Sequence, residues 1–214
     1  MSLHAEIESF REEFLASVPE DVQSLMGNAT KDLADSGLAD SAIKKGQELP
    51  DAELINAKNE KIQLRSLLAK GPLVITFYRG GWCPYCNLEL SAYQRALPEI
   101  NAAGATLVAI TPELPDSSLT TVEKNELAFE VLSDPNAEYA KQLGLVFALP
   151  EELRPVYKSF GIDLEQYNGK GQYELPLAAT FVVKTDGVIA TAFVEADYTK
   201  RQEPSEVIEA LNNL

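Results

Sequence analysis

A chain of 214 residues, 45% hydrophobic and 24% charged, has the length for one compact domain with an appendage and the composition of an ordinary globular protein. Its formal net charge of −15 argues against nucleic acid or an anionic membrane surface as a partner, because both are met by basic surface. No apolar run approaches the ~20 residues of a membrane span, and MSLHAEIESFREEF carries neither the basic nor the apolar region of a secretory signal, so the expected compartment is the cytoplasm.

Residues 1–45 read as an N-terminal helical extension and residues 46–214 as the body of the protein. Within 2–36 a helical pair is expected. Ile7, Phe10, Phe14 and Leu15 share one face, and Val22, Leu25, Met26 and Leu33 continue an apolar face after Pro19. Gly37 is the expected stop. An isolated pair this short buries too little to be stable, so its apolar faces need cover from the body or from a second copy in a homodimer. His4 reads as an exposed terminal residue, since a metal site needs clustered ligands. No residue of this extension is expected to supply chemistry.

From residue 46 strands and helices alternate. Residues 52–56 and 61–63 suggest a hairpin around Lys58-Asn59, and a short helix over 65–69 ends at Gly71-Pro72. A strand over 73–78, a helix over 84–97, a strand over 105–111, a helix over 116–127 and a strand over 129–132 follow. Helices over 136–143 and 151–160 lead to strands 179–184 and 187–194, joined at Thr185-Asp186-Gly187, and a helix over 204–213 closes the chain. The class is α/β, with a mostly parallel central sheet flanked by helices and an antiparallel edge from the late hairpin.

Both cysteines of the chain, Cys83 and Cys86, lie in FYRGGWCPYCN, where the apolar run PLVITFY turns into a helix. Spaced at i and i+3 they can close a small disulfide. The first sulfur stands over the unpaired N–H groups that begin the helix, an environment that favours thiolate over thiol. Gly80 and Gly81 allow a tight turn, and Pro84 suits the first helical position because it has no N–H to lose. A zinc reading needs two further ligands, and the chain offers no other cysteine and one histidine. Neither a metal nor a cofactor is therefore expected. The pattern is that of a redox enzyme built around one reactive sulfur.

The stretches LLAKGPLVITFYRGGWCPYCNLEL, GATLVAITPE, VLSDP, YKSFGIDL, ELPLAATFVVKTDGVIA and DYTKRQEPSEVIEAL resemble, in order and spacing, the peroxiredoxin-like branch of the AhpC/TSA family (alkyl hydroperoxide reductase and thiol-specific antioxidant). The resemblance implies a thioredoxin-like, peroxiredoxin-type mixed sheet flanked by helices, with 46–214 as the redox domain. It also implies thiol-dependent peroxidase activity, with Cys83 attacking the peroxide and Cys86 resolving the product as a Cys83–Cys86 disulfide. A dithiol protein such as thioredoxin, or glutathione with glutaredoxin, would restore the pair. CPYC is also a glutaredoxin tetrapeptide, which keeps a thiol–disulfide oxidoreductase as an alternative, and a redox-responsive binding protein as another.

Two positions depart from the family. The hydroxyl usually three residues before the reactive cysteine is replaced by Gly80. Ala178, two residues before Thr180-Phe181, stands where relatives carry a cis-proline or an arginine. Arg79, four residues before Cys83, is the cation expected to stabilise the thiolate and the leaving oxygen. Cys83 is expected to be exposed and Cys86, one turn along, less so. Trp82 and Tyr85 read equally as an apolar docking lip and as packing of the loop against the body. Arg154, Arg201 and Asp197-Tyr198 read by default as surface ion-pairing residues.

Overall fold

The computed structural model describes residues 1–214. The expected helical pair is present as α1 (Leu3–Ser17) and α2 (Glu20–Asp35). Ser2 caps α1 by accepting from the Ala5 N–H at 3.3 Å, and the Glu203 carboxylate accepts from the N–H groups of Leu3 and His4 at 3.2 and 2.7 Å. His4 is exposed as expected, and its Nε2 lies 2.8 Å from the Arg201 carbonyl oxygen. Gly37, with φ +72°, ends the pair in the left-handed region that glycine tolerates, and a further turn not foreseen, α3 (Leu38–Ser41), follows.

The body contains β1 (Glu53–Asn56), β2 (Lys61–Gln63), α4 (Leu64–Leu68), β3 (Leu73–Phe77), α5 (Pro84–Ala102), β4 (Thr106–Thr111), α6 (Pro115–Lys124) and β5 (Glu130–Ser133). It continues through α7 (Glu138–Gln142), β6 (Val146–Ala148), α8 (Arg154–Ser159), α9 (Leu164–Asn168), β7 (Glu174–Pro176), β8 (Ala178–Val183), β9 (Ile189–Glu195) and α10 (Pro204–Asn212). Short 3-10 turns at Pro135–Ala137 and Glu151–Leu153 lead into α7 and α8.

Seven strands form one sheet in the order β2-β1-β5-β4-β3-β8-β9. The mostly parallel expectation is corrected. Only β3–β4 and β4–β5 pair parallel, while β1–β2, β1–β5, β3–β8 and β8–β9 are antiparallel. Helical crossovers join only the parallel strands; β8 reaches β3 after the long excursion through α7, α8 and α9 and enters from the opposite end. The sheet is mixed and lies between helices, as the family resemblance implies.

β3 shows why the sheet is central: all five residues are buried, and alternation sends its side chains to two cores. Val74 joins α1, α5 and α10 on one face, whereas Leu73, Ile75 and Phe77 join α4 and α7 on the other. The helix after β3 runs on past the predicted end at 97, through Pro98 to Ala102. Pro98 is exposed and sacrifices one backbone bond, but Ile100 continues the buried stripe, so core packing overrides the helix-breaking tendency. The ribbon β6–β7 and α9 were not legible in the sequence. They enclose a small separate core of Leu149, Leu153, Tyr157, Leu164 and Leu175.

The helical pair finds its cover within the same chain. Leu3 and Ile7 of α1 are buried in the core that also holds Cys83 and Cys86. Leu25, Met26 and Ala29 of α2 rest on the small core beside β6. Because Ile7 is a full member of the main core, Ile7→Ala is expected to cost about 2–5 kcal/mol. Urea denaturation would measure this, and a loss no larger than that of an exposed substitution on α1 would show that α1 does not share the core's stability.

Candidate active site

β3 ends at Phe77 and α5 begins at Pro84; the six residues between them carry the expected loop. The Cys83 N–H donates to the Gly80 carbonyl oxygen at 3.0 Å, and the Asn87 side chain donates to the Gly81 carbonyl oxygen at 2.8 Å, so the turn is tied to the first turn of α5. Glycine is required twice for close approach. A Cβ at Gly80 would overlap the Trp82 indole, and one at Gly81 would overlap the Thr121 side chain. The missing family hydroxyl at Gly80 therefore reflects a loop with no room for any side chain there.

Cys83 takes the N-cap position of α5 with Pro84 as the first helical residue. Two expectations are corrected. Cys83 is not exposed but fully buried, as is Cys86. Its sulfur caps no helix N–H; it meets Arg79 and Cys86 instead. Arg79 Nη2 lies 3.4 Å from Cys83 Sγ, and Arg79 Nη1 donates to the Tyr157 hydroxyl at 3.1 Å. The guanidinium carbon lies 4.2 Å from the Tyr198 ring centroid and 5.3 Å from that of Trp82, so two aromatic rings pack on it.

Arg201 is the larger correction. The default of surface ion pairing fails, because Arg201 is 2% exposed and reaches the sulfurs from the segment after β9. Its Nη2 lies 3.4 Å from Cys86 Sγ and its Nε donates to Glu89 Oε2 at 2.7 Å, while Nη1 is held by the carbonyl oxygens of Tyr198 and Lys200. Glu89 in turn accepts from the Thr76 hydroxyl at 3.4 Å. Arg154, by contrast, remains at the surface, pairing with Glu151 at 3.7 Å and covering the Tyr173 ring. Asp197 caps the turn at Thr199.

This arrangement separates the two thiols. Burial pushes the Cys83 thiol up, but the Cys86 S–H donated to it and the charges of Arg79 and Arg201 outweigh burial and hold it well below the ordinary value. Cys86 is pushed well above the ordinary value by burial, by the bond it donates and by the negative sulfur beside it. Neither sulfur is engaged in a disulfide. The surroundings thus favour the thiolate form at Cys83 and the neutral thiol at Cys86.

Tyr85 is buried, edge-on to Phe10 of α1 and to Tyr198, which makes it packing; Trp82 is partly buried against Tyr157. Arg201, Glu89, Glu113, Tyr157 and Tyr198 were missed as site residues. One signal was present: Glu89 falls among Cys86, Leu90, Tyr93, Leu97 and Ile100, an acidic residue inside an apolar helical stripe.

A model of the AhpC/TSA family matches residues 45–192, well over half of the chain. The chain belongs to the AhpC/TSA family. It is 28% identical over 136 residues to peroxiredoxin Q, chloroplastic, of Populus jackii, a match covering 62% of this chain and 63% of that protein. Peroxiredoxin bcp1 of Schizosaccharomyces pombe is 26% identical over 127 residues, 59% of this chain and 63% of that protein. The matched stretches thus span just under two thirds of these relatives. Among solved structures, peroxidoxin BcpB of Mycobacterium tuberculosis superposes with a TM-score of 0.64 at 20% identity, covering 80% of this chain and 98% of that one. Peroxiredoxin Q of Xanthomonas campestris gives 0.59 at 22% identity, covering 79% and 97%. The fold is that of the peroxiredoxins, and α1 and α2 precede the residues that the family model matches.

Glu113 offers a test of the loop's electrostatics. It accepts the Gly81 N–H at 3.0 Å, and burial, partly offset by that bond, pushes its carboxyl from 4.5 up to about 7. A raised carboxyl stabilises the fold fully below 4.5 and loses that contribution as pH rises through about 7. Glu113→Gln should therefore gain stability relative to the native chain as pH climbs across this window. Urea midpoints of the two proteins measured in parallel would show it, and a pH-independent difference would mean that Glu113 ionises as an ordinary carboxylate.

Proposed function

We propose that this protein is a thiol-dependent peroxidase in which Cys83 is peroxidatic and Cys86 resolving. The observation that carries the reading is the Arg79 guanidinium 3.4 Å from a buried sulfur whose neighbours favour its thiolate. In the first step the thiolate attacks the terminal oxygen of a hydroperoxide. The S–O bond forms as the O–O bond breaks, and the electron pair leaves on the departing oxygen, which takes up a proton. Arg79 contributes its fixed positive charge to both the attacking sulfur and the leaving oxygen.

In the second step Cys86 gives up its proton and attacks the sulfenic sulfur, expelling hydroxide that leaves as water. Peroxide and two thiols have then become alcohol, water and one disulfide. Arg201 beside Cys86 supports that deprotonation, with Glu89 holding Arg201 in place. Two electrons from an external dithiol, a thioredoxin-type protein or glutathione with glutaredoxin, return the pair to the reduced state. The reading carries with it a reducing compartment such as the cytoplasm, where such donors are supplied. Burial of Cys83 favours a low-molecular-weight hydroperoxide over a protein disulfide as oxidant, against a general disulfide reductase.

Cys83→Ser should abolish peroxide consumption, whereas Cys86→Ser should take up one oxygen and accumulate sulfenic acid. Intact-mass analysis after one equivalent of peroxide reads both, and sulfenic acid on Cys86 in an active Cys83→Ser protein would reverse the assignment. Arg79→Met removes a hydrogen bond to a charged group, a loss of ~1.5–3 kcal/mol, and should slow the peroxide step about 10- to 150-fold. Stopped-flow rates near those of the native chain would show that Arg201 suffices without Arg79.

A further inference from the structure

A cavity of ≈ 210 Å³ lies between α2 and the segment that follows β6, and it ends on the catalytic arginine. One wall is α2, through Leu25, Met26 and Ala29; the facing wall is Leu149 and Leu153. Arg79, Tyr157 and Tyr198 form the polar end. The two walls come from different parts of the chain, and α2 lies outside the residues matched by the AhpC/TSA family model. A cavity of ~150 Å³ with comparable apolar lining accepts a benzene ring, so the space here holds an aryl or branched alkyl group.

The polar end is the part of the cavity nearest the reaction. Arg79 Nη1 meets the Tyr157 hydroxyl and Nη2 meets Cys83 Sγ, so one guanidinium belongs both to the cavity and to the sulfur. A molecule that fits has an apolar body against α2 and an oxygen-bearing head towards Arg79. The mouth narrows the class further. Asp32 and Glu152, both exposed, stand at the opening, and an ionised tail there would meet like charge.

We infer that α2 builds a specificity pocket for neutral organic hydroperoxides, whose apolar group lies between α2 and Leu149–Leu153 while the peroxide oxygens face Arg79. The inference rests on the peroxidase reading and deepens it: the chemistry at sulfur is unchanged, and the leaving oxygen departs as the alkoxide of a bulky alcohol. It also revises the expectation that the N-terminal helices act only in packing. α1 packs; α2 selects.

The probes are cumene hydroperoxide, hydrogen peroxide and the unreactive product alcohol, 2-phenyl-2-propanol. Ala29→Phe fills the pocket from the α2 side, and Leu33→Phe, on the same helix and also lining the cavity, repeats the experiment where the first variant does not fold. Stopped-flow oxidation gives the ratio of second-order rate constants for cumene hydroperoxide over hydrogen peroxide. This ratio is expected to fall about tenfold or more in the variant, the effect of denying burial to one large apolar group, and a smaller fall overturns the inference.

Binding of the alcohol gives a readout independent of turnover. Trp82 is the one tryptophan of the chain and packs on Tyr157, so its fluorescence reports the polar end of the cavity. The alcohol should perturb Trp82 saturably in the native chain and bind more weakly in the variant; equal binding overturns the pocket. Rapid reduction of both peroxides with an unaltered ratio would defeat the pocket alone. Reduction of neither peroxide, with alcohol binding still weakened by Ala29→Phe, would defeat the peroxidase reading and the substrate assignment with it.

Discussion

Two guanidiniums set against two buried sulfurs are the interaction on which the rest of the site depends. In a low-dielectric interior an isolated thiolate or arginine is costly, by several kcal/mol per ion even after relaxation. Placed ~4 Å apart at an effective dielectric constant of ~20, opposite unit charges recover about 4 kcal/mol. Arg79 and Cys83 are each tolerable only because the other is present, and buried Arg201 is tolerable because the Glu89 carboxylate lies against it. The surrounding structure completes what the charges leave unsatisfied. Tyr157 accepts from Arg79, backbone carbonyls accept from Arg201, and the Tyr198 ring covers Arg79.

The arrangement makes the site locally cationic within a chain of net charge −15. That contrast has a structural origin. The acidic residues are spread over exposed helices, where water screens them, while Arg79 and Arg201 sit where screening is weakest. Two carboxylates lie buried beside the site, Glu89 beside Arg201 and Glu113 beneath Gly81, and burial pushes each up to about 7. Glu89 anchors an arginine and Glu113 anchors the loop, so both serve the geometry of the sulfurs without touching them.

The N-terminal helices divide their work by what they cover. α1 places Leu3 and Ile7 in the core that holds the cysteines and brings Phe10 onto Tyr85, directly behind the CxxC turn. Glu203 and His4 tie the start of α1 to the stretch that carries Arg201, so the extension and the second arginine are fixed together. α2 buries none of its residues fully and stands over a cavity instead of filling one.

The sequence by itself determined the strand–turn–helix around Cys83 and Cys86, because an apolar run, two glycines and Pro84 leave the backbone little choice there. It also determined the helical pair, the β1–β2 and β8–β9 hairpins and Arg79 as the first cation, all signals local to a few residues. Only the tertiary structure decided what lies far apart in the chain. Arg201 is 115 residues from Cys86 and reads as one more charged residue until β9 and α10 carry it inward. Burial of Cys83 depends on α1, Tyr85 and Tyr198 closing over the turn, which no local pattern records. The β6–β7 ribbon and α9 were illegible because such short elements are fixed by the small core they enclose and not by their own periodicity. Helix and strand propensities act over neighbouring residues, but an electrostatic site is assembled from whatever the fold brings within a few ångströms.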